Sequence, residues 1–459
     1  MQVQEKGNGK AHEKGGSGST RRRFLLTTGA AASFMILPRR LIAGAGVKPP
    51  SEKLNIACIG VGGRGWDDLN GVAGENIVGL CDTDEGQLAR AAASFPGART
   101  FRDFRQMLDR MGSTIDAVVV ATPDHTHAVA AVPAMQLGKH VYCEKPMAHS
   151  VHEVQAMMRA AKENKVVTQL GNQGHSFDSI RMFCEWVWDG AIGSVHTIHA
   201  YTSAYNAHTD QIAKLSEKHA PPASLNWDLW LGPAAYRPYH PAYQPGTWRG
   251  WVPFGCGSIG DWVCHVVDPV FWALELGAPS SVQAQCKDYD VKTQGLSHPP
   301  GTVVTYEFPA SPKRGAIKMI WYDGTEKPPR PADLEKDDKA PDTGAVVMGD
   351  KGTIIYGSHG AGGVRLVPDA KSNAYRRPAK SIPRVKGHYE DWLQAIREGR
   401  KAGSDFSYGG PLTEIALLGN IAVKQLGQRL EWDGKAQRFT NSEEANRHLH
   451  PEFRSGWGV

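Results

Sequence analysis

Residues 52–69 read EKLNIACIGVGGRGWDDL. Residues 54–59 form a short, nearly unbroken apolar run, the pattern of a strand buried on both faces. Gly60, Gly62 and Gly65 follow at once in G-x-G-x-x-G spacing. The first glycine permits a tight turn, the second lets backbone approach a pyrophosphate, and the third lets the next helix pack closely on the strand. Gly60, Gly62, Gly63, Arg64 and Gly65 thus make a turn whose helix N-terminus offers unpaired N–H groups to phosphate. A second apolar run, NIVGLC, ends at Asp82, about 20 residues after the glycines, where an acid accepts hydrogen bonds from the adenosine ribose diol. A carboxylate there repels a 2′-phosphate, which favours NAD over NADP as cofactor. Asp82 also suits the cap of a helix beginning near Glu85.

The alternation continues. FRDFRQMLDR, residues 101–110, has helical spacing, and IDAVVVATPDHTHAVAAVPAMQLGKHVYCEKPM, residues 115–147, reads as strand, loop, helix to Leu137, and strand. In such sheets ligands bind beyond the carboxyl ends of the strands. Three ends converge there: residues 60–65, 122–127 and 144–146. Thr122, Pro123, His127, Glu144 and Lys145 therefore join the cofactor-binding candidates, although His127 equally reads as a helix-start histidine. Glu144, Lys145 and Pro146 are a poor continuation of a strand, because proline cannot donate to a ladder. Their position reads instead as a lysine delivered to the end of a buried sheet.

Beyond Gln169 the strand–helix alternation fades. SVHTIHAYTS, SVQAQCKDYD, TVVTYEF, GAIKMIWYD and GTIIYG recur with Gly and Pro punctuation, the pattern of an antiparallel sheet. Residues 325–343 are charged and Pro-rich and read as a surface loop. Helical patterns at 388–397 and around 414–425 close this half. The expected architecture is α/β: an N-terminal Rossmann doubly wound parallel sheet, residues 52–170, then a C-terminal α+β domain with a large, mostly antiparallel open sheet, residues 171–459.

The combination of IACIGVGGRG, CD, ATPDHTHA and CEKPM, continued by NWDLWLGP, WRGWVPFGCGSIGDWVCHVVDP and TEIALLGNIAVKQLG, resembles the Gfo/Idh/MocA family, named for glucose–fructose oxidoreductase and inositol dehydrogenase. The resemblance covers nearly all of the chain after residue 51. It implies that the second sheet carries the substrate face and an oligomer interface, giving a homo-oligomer, dimer or tetramer. It also implies that Lys145 and His265 are the acid and base of catalysis, with Asp261 in the same constellation.

The residues themselves support part of this. Asp261 and His265 stand one helical turn apart, so both face one way, and a carboxylate so placed can orient an imidazole and stabilise its charged form. Alone, the pair would read as a structural helix pair. A partly desolvated lysine beside a positive nicotinamide is suited to exchanging a proton with a sugar hydroxyl. Glu144 is expected to hold the nicotinamide ribose or pair with the lysine, and the bond before Pro146 has access to the cis form. His175, Trp248 and Arg249 are the substrate-side candidates; Trp248 and Arg249, with Trp251, make either a wall for a sugar ring or packing. The H-x-H pair at 125/127 has no acid at a completing spacing, so no metal is expected.

Composition sets the outer bounds. With 459 residues, two domains are the default expectation. Charged residues at 22% and hydrophobic residues at 41% describe a soluble globular chain. The net charge of +5 is scattered and partly concentrated near the N-terminus, which gives no nucleic-acid footprint. Seven cysteines form no CxxC pair, which argues against a disulfide framework. Thirteen tryptophans, mostly between positions 186 and 272, line sugar clefts or pack cores. Residues 20–37, TRRRFLLTTGAAASFMIL, join a basic start to a short apolar stretch, with small residues following at Ala43, Gly44 and Ala45. Thr20, Arg21, Arg22, Phe24 and Leu25 resemble the twin-arginine export motif. Residues 1–45 are therefore read as a signal peptide, with a periplasmic or otherwise exported mature protein that is not held in a membrane; the alternative is a cytosolic tail.

Two activities fit this reading. One passes hydride from a sugar or polyol hydroxyl to a tightly bound NAD. The other is redox-neutral glycoside cleavage: transient oxidation of a ring hydroxyl, elimination, and return of the hydride. No paired carboxylates at hydrolase spacing stand out. A non-catalytic NAD-dependent sensor would be favoured only if Lys145 and His265 lay far from the nicotinamide.

Overall fold

The apolar run after Leu54 forms strand β1 (Asn55–Ile59), whose last four residues are buried. In the computed structural model, which describes residues 52–459, β1 lies inside a six-stranded sheet. Its order is β3 (Arg99–Phe101), β2 (Asn76–Cys81), β1, β4 (Ala117–Val120), β5 (His140–Cys143), β6 (Thr168–Leu170), and every pairing is parallel. The strand order reverses between β1 and β4, which opens a crevice at their carboxyl ends. The residues read as a signal peptide, 1–45, lie outside the described residues. No helix among the described residues is long and apolar enough to cross a membrane.

The helix expected across 101–110 starts later. Phe101 ends β3, and Asp103, whose side chain accepts the Arg105 N–H, caps a helix at Phe104–Met111. The cap of the Glu85–Ser94 helix is Asp84, which accepts from Gly86 and Gln87, and Asp82 is thereby left free of that role.

The second sheet has nine strands in the order β13 (Gly362–Val367), β12 (Gly352–Gly357), β11 (Thr343–Gly349), β7 (Val195–Thr202), β10 (Ile317–Gly324), β9 (Gly301–Phe308), β8 (Ser281–Gln285), β14 (Leu430–Asp433), β15 (Arg438–Phe439). Only β7 and β10 run parallel. β9 shows the expected alternation of buried and half-buried residues, as a sheet with one packed face requires. β11 lacks it: its middle is buried on both sides, because Leu334 of the Pro-rich loop packs with Val346 on the outer face.

Helices Gly257–Val266 and Phe406–Val423 lie against the inner face, where Ile259, Val263, Ile415 and Leu418 meet Tyr306 and Trp321. The chain then returns to the first sheet. Trp392, Leu393 and Ala395 of the His388–Glu398 helix share a core with Ile56, Cys58, Val119 and Tyr142. Residues Lys53–Val459 consequently form one compact unit.

Candidate active site

The crevice begins at the glycine turn. Gly60 has φ +78°, and a side chain there would put its Cβ 2.6 Å from the Ala121 carbonyl oxygen at the end of β4. At Gly65 a Cβ would stand 2.1 Å from the Gly60 oxygen, so helix Arg64–Gly71 approaches β1 as closely as backbone allows. That helix has no side-chain cap; Gly63 precedes it at φ +50°, with nothing within 4 Å of where a Cβ would stand. The opening of the helix is therefore free of covering side chains and positively polarised, a cradle suited to pyrophosphate.

Asp82 holds this turn in place. Its Oδ2 accepts the Val61 N–H at 2.9 Å and its Oδ1 the Asp84 N–H at 2.9 Å, while burial pushes its carboxyl upward. Asp82 lines the crevice with Gly60, Gly62, Gly63, Arg64, Thr122, Pro123, His127, Glu144 and Lys145 around a cavity of about 370 Å³. The buried Thr122 hydroxyl has no protein partner. His127 sets its two ring nitrogens 2.8 Å from the carbonyl oxygens of Thr122 and Pro146, which ties the loops after β4 and β5 together. A helix start with no side-chain cap, an acceptor at the ribose position and an orphaned hydroxyl suit a dinucleotide.

At the other end of the cavity, β5 delivers Glu144, Lys145 and a cis Pro146. Glu144 does not pair with the lysine ammonium: its Oε1 accepts from Gln173 Nε2 at 2.6 Å and Arg64 Nε at 3.3 Å. Lys145 turns the other way, its Nζ donating to Asp261 Oδ1 at 2.5 Å and to the Asp261 carbonyl at 3.1 Å. Asp261 Oδ1 is also 3.4 Å from Arg249 Nη1, which in turn lies 3.3 Å from Asp124. Burial alone would push the Asp261 carboxyl up, but the Lys145 and Arg249 cations outweigh it and hold the group well below the usual carboxylate range.

His265 stands one turn beyond Asp261, as the spacing requires, but the carboxylate does not orient it. Lys145 and Arg249 have taken that carboxylate. The buried Nδ1 of His265 has no protein partner, and its ring stacks instead on His359 at 4.1 Å. Burial, then the Lys145 and His359 charges, push the imidazole well below its ordinary value, so it is neutral rather than the stabilised cation expected.

The substrate-side candidates separate. Trp248 and Arg249 line the cavity, with the Arg249 guanidinium 4.3 Å above the Trp248 ring. His175 does not line it: its Nδ1 meets Asp268 Oδ1 at 3.0 Å and its ring stacks on Trp272 in the protein interior. Most of the aromatic cluster is packing, with Trp227, Trp230, Tyr243, Trp251 and Phe254 forming a core of their own.

Some members of the site carry no local sequence signal. Asp124 is buried and accepts the Cys256 N–H at 2.9 Å; a carboxylate just past a buried strand was the only clue to it. Gln173 and His359 reach the site from distant turns. Among the described residues, Glu217, His219 and His240 are the one grouping with metal-ligand spacing. There Nδ1 of His240 accepts the Ala242 N–H, which puts the ring proton on Nε2 and leaves His240 poorly prepared to ligate.

Residues 54–172 match the profile of the Gfo/Idh/MocA family, described as "Oxidoreductase family, NAD-binding Rossmann fold", and residues 195–299 match its "C-terminal alpha/beta domain". The chain is 35% identical over 156 residues to inositol 2-dehydrogenase 2 of Saccharopolyspora erythraea, covering 32% of this chain and 44% of that protein. It is 26% identical over 181 residues to levoglucosan dehydrogenase of Pseudarthrobacter phenanthrenivorans, covering 39% of this chain and 38% of that one. The match thus spans less than half the length of these relatives. In fold, the chain is similar to the WlbA dehydrogenase from Bordetella pertussis in complex with NADH and UDP-GlcNAcA, with a TM-score of 0.60, 18% identity, and coverage of 83% of this chain and 99% of that one.

Proposed function

We propose that the chain, whose residues 54–172 and 195–299 match the NAD-binding Rossmann domain and the C-terminal α/β domain of the Gfo/Idh/MocA oxidoreductase family, is an NAD-dependent oxidoreductase that takes hydride from a hydroxyl-bearing carbon of a sugar or polyol. One observation carries the reading: the Lys145–Asp261 pair stands at the inner end of the dinucleotide crevice, where β5 meets the Gly257–Val266 helix. Bound there, NAD supplies the hydride acceptor.

The chain's own residues handle the proton. As hydride leaves the carbinol carbon, the hydroxyl proton has to leave as well; Lys145, paired with Asp261 at rest, must first give up a proton before it can accept this one. The ammonium so formed lies against the Asp261 carboxylate, which stabilises it through a short, largely dry contact. Neutral His265, with Nδ1 unpartnered by protein, offers a second proton acceptor or hydrogen-bond partner on the same helix. Arg249 and Trp248 present a cation and a ring face to a polar substrate.

The test is to purify the protein, identify the nucleotide it retains, and incubate it with sugars, polyols and aryl glycosides. A keto product with reduced cofactor is expected. Release of aglycone without net NADH would replace this reading with redox-neutral glycoside cleavage. Lys145→Ala should abolish hydride transfer while nucleotide stays bound, and surviving activity would remove the lysine from the role.

We further propose that residues 1–45 direct twin-arginine export, on the strength of Arg21, Arg22, Phe24 and Leu25. A cofactor bound before export would answer the scarcity of free NAD outside the cytoplasm. Cell fractionation of an Arg21→Lys, Arg22→Lys variant tests this: retention in the cytoplasm is expected, and unchanged export would end the idea. A homo-oligomer, dimer or tetramer, is proposed as well and is measured by light scattering; a monomer refutes it.

A further inference from the structure

His359 lies in the turn joining β12 to β13, far in sequence from every other member of the site. Three consecutive residues there have left-handed backbone: His359 at φ +54°, Gly360 at +74° and Ala361 at +60°. Two of the three are not glycine, and such conformations persist only where the surroundings impose them. The surroundings do so. The Gly360 carbonyl accepts the Ser179 hydroxyl at 2.6 Å. Gly174 and Gly360 pass so closely that a Cβ on Gly360 would stand 2.0 Å from the Gly174 oxygen. The Ser358 hydroxyl lies 2.9 Å from His359 Nδ1.

This bracing puts the His359 ring at one place. It lies nearly parallel to His265, with centroids 4.1 Å apart and an interplanar angle of 26°, and both rings meet the edge of Trp262. The turn that braces it, Gln173–Ser176, also supplies the Gln173 amide that holds Glu144.

We propose that His359 is a positioning residue: held in its left-handed turn, it packs face to face on His265 and fixes the plane in which that imidazole meets a substrate hydroxyl. The proposal rests on the oxidoreductase reading for its catalytic meaning but not for its physical content. Two imidazoles at this separation cannot both be charged without strong repulsion. The charged groups facing His265 are Lys145 and Arg64 from the nucleotide half, Asp261 from its own helix, and His359; those facing His359 are Lys145, Arg64 and Asp261. Asp261 alone favours a proton on either ring. His359 thus helps to keep His265 an acceptor.

The experiment is an NMR titration of His265 in the full chain, labelled at histidine and assigned with a His265→Gln variant. His359→Phe keeps a stacked ring but removes its charge, so the His265 titration should move upward by about one pH unit. With a substrate in hand, His359→Ala should lower kcat by about five- to tenfold with little change in KM, and His359→Phe should restore part of that loss. The acidic limb of the rate profile should shift upward in both. An unmoved His265 titration in His359→Phe overturns the proposal. The NMR readout needs no substrate, so a wild-type protein inert toward every sugar and polyol would defeat the oxidoreductase reading without touching this one. Should His359→Ala fail to fold, His359→Phe carries the test.

Discussion

Replacing Asp261 with Asn removes one charge and almost no volume, which makes it a clean probe of the pair at the heart of the site. In the native protein the Asp261 side chain is 16% exposed and that of Lys145 10%, so neither charge is well solvated. Asparagine still offers Oδ1 to the ammonium, but Lys145 and Arg249 would then face each other with Asp124, on the far side of Arg249, and the more distant Glu144 as counter-charges. Removing one member of a buried pair costs about 3–5 kcal/mol because the other stays buried and uncompensated; with a hydrogen bond retained, about 3 kcal/mol is expected. Guanidinium unfolding followed by tryptophan fluorescence and far-UV circular dichroism measures it. Lys145→Met and the double variant complete a cycle, in which the double variant should recover about 2 kcal/mol relative to the sum of the singles. The pH dependence has a definite sign. The folded carboxyl is depressed, so its stabilisation is fully present above the unfolded value of about 4 and is lost as pH falls below it. The gap between wild type and Asp261→Asn should therefore hold from neutral pH down to about 5 and narrow below 4. Single costs that add to within about 0.5 kcal/mol in the double variant would refute the claim that these two residues hold each other.

Glu153 offers the opposite sign. Buried in the first turn of the Val151–Glu163 helix, its carboxyl is pushed up to about 7 by desolvation. The folded state keeps this proton where the unfolded chain has lost it, so stability falls as pH rises through that window. Glu153→Gln should gain about 3 kcal/mol over wild type between pH 4.5 and 8, and a gap that does not grow with pH would contradict the assignment. Gly65→Ala forces a Cβ to within 2.1 Å of the Gly60 oxygen, so the helix has to back away from the strand. NAD affinity, read by fluorescence quenching, should fall at least tenfold, about 1.4 kcal/mol, and unchanged affinity would contradict the close-approach argument.

What was legible in the sequence was local. The glycine spacing, Asp82 at the end of the next strand, and the lysine past β5 each lie within one strand–turn unit, where backbone geometry follows from residue type. The helical repeat likewise put Asp261 and His265 on one face. It did not say which neighbour the carboxylate would choose, because Lys145 and Arg249 arrive from 116 and 12 residues upstream. His175 shows the same limit, being a histidine beside the site in sequence whose ring faces Asp268 and Trp272 in the fold. Strands β11 and β15 escaped notice for different reasons: β11 is buried on both faces and has no alternation, and β15 is only two residues long. His359 had no signal at all, since a left-handed histidine looks in sequence like any turn residue.

The return of the His388–Glu398 helix to the first sheet bears on the order in which this molecule is completed. Trp392 meets Tyr142 edge-on at 5.7 Å, and the Tyr389 hydroxyl accepts from Arg64 at 2.7 Å and donates to Asp68 at 2.6 Å, at the helix that follows the glycine turn. A nascent chain halted before residue 388 possesses every strand of the nucleotide-binding sheet and the Leu69, Leu88 and Ala91 packing on this face, but lacks the part of the core that Trp392, Leu393 and Ala395 supply. Chains are made from the N-terminus and domains commonly fold as they emerge; here part of the first half's core is contributed by a helix near the far end of the chain. The packing around Tyr142 and the Tyr389 contacts to Arg64 and Asp68 are complete only once synthesis has passed residue 398.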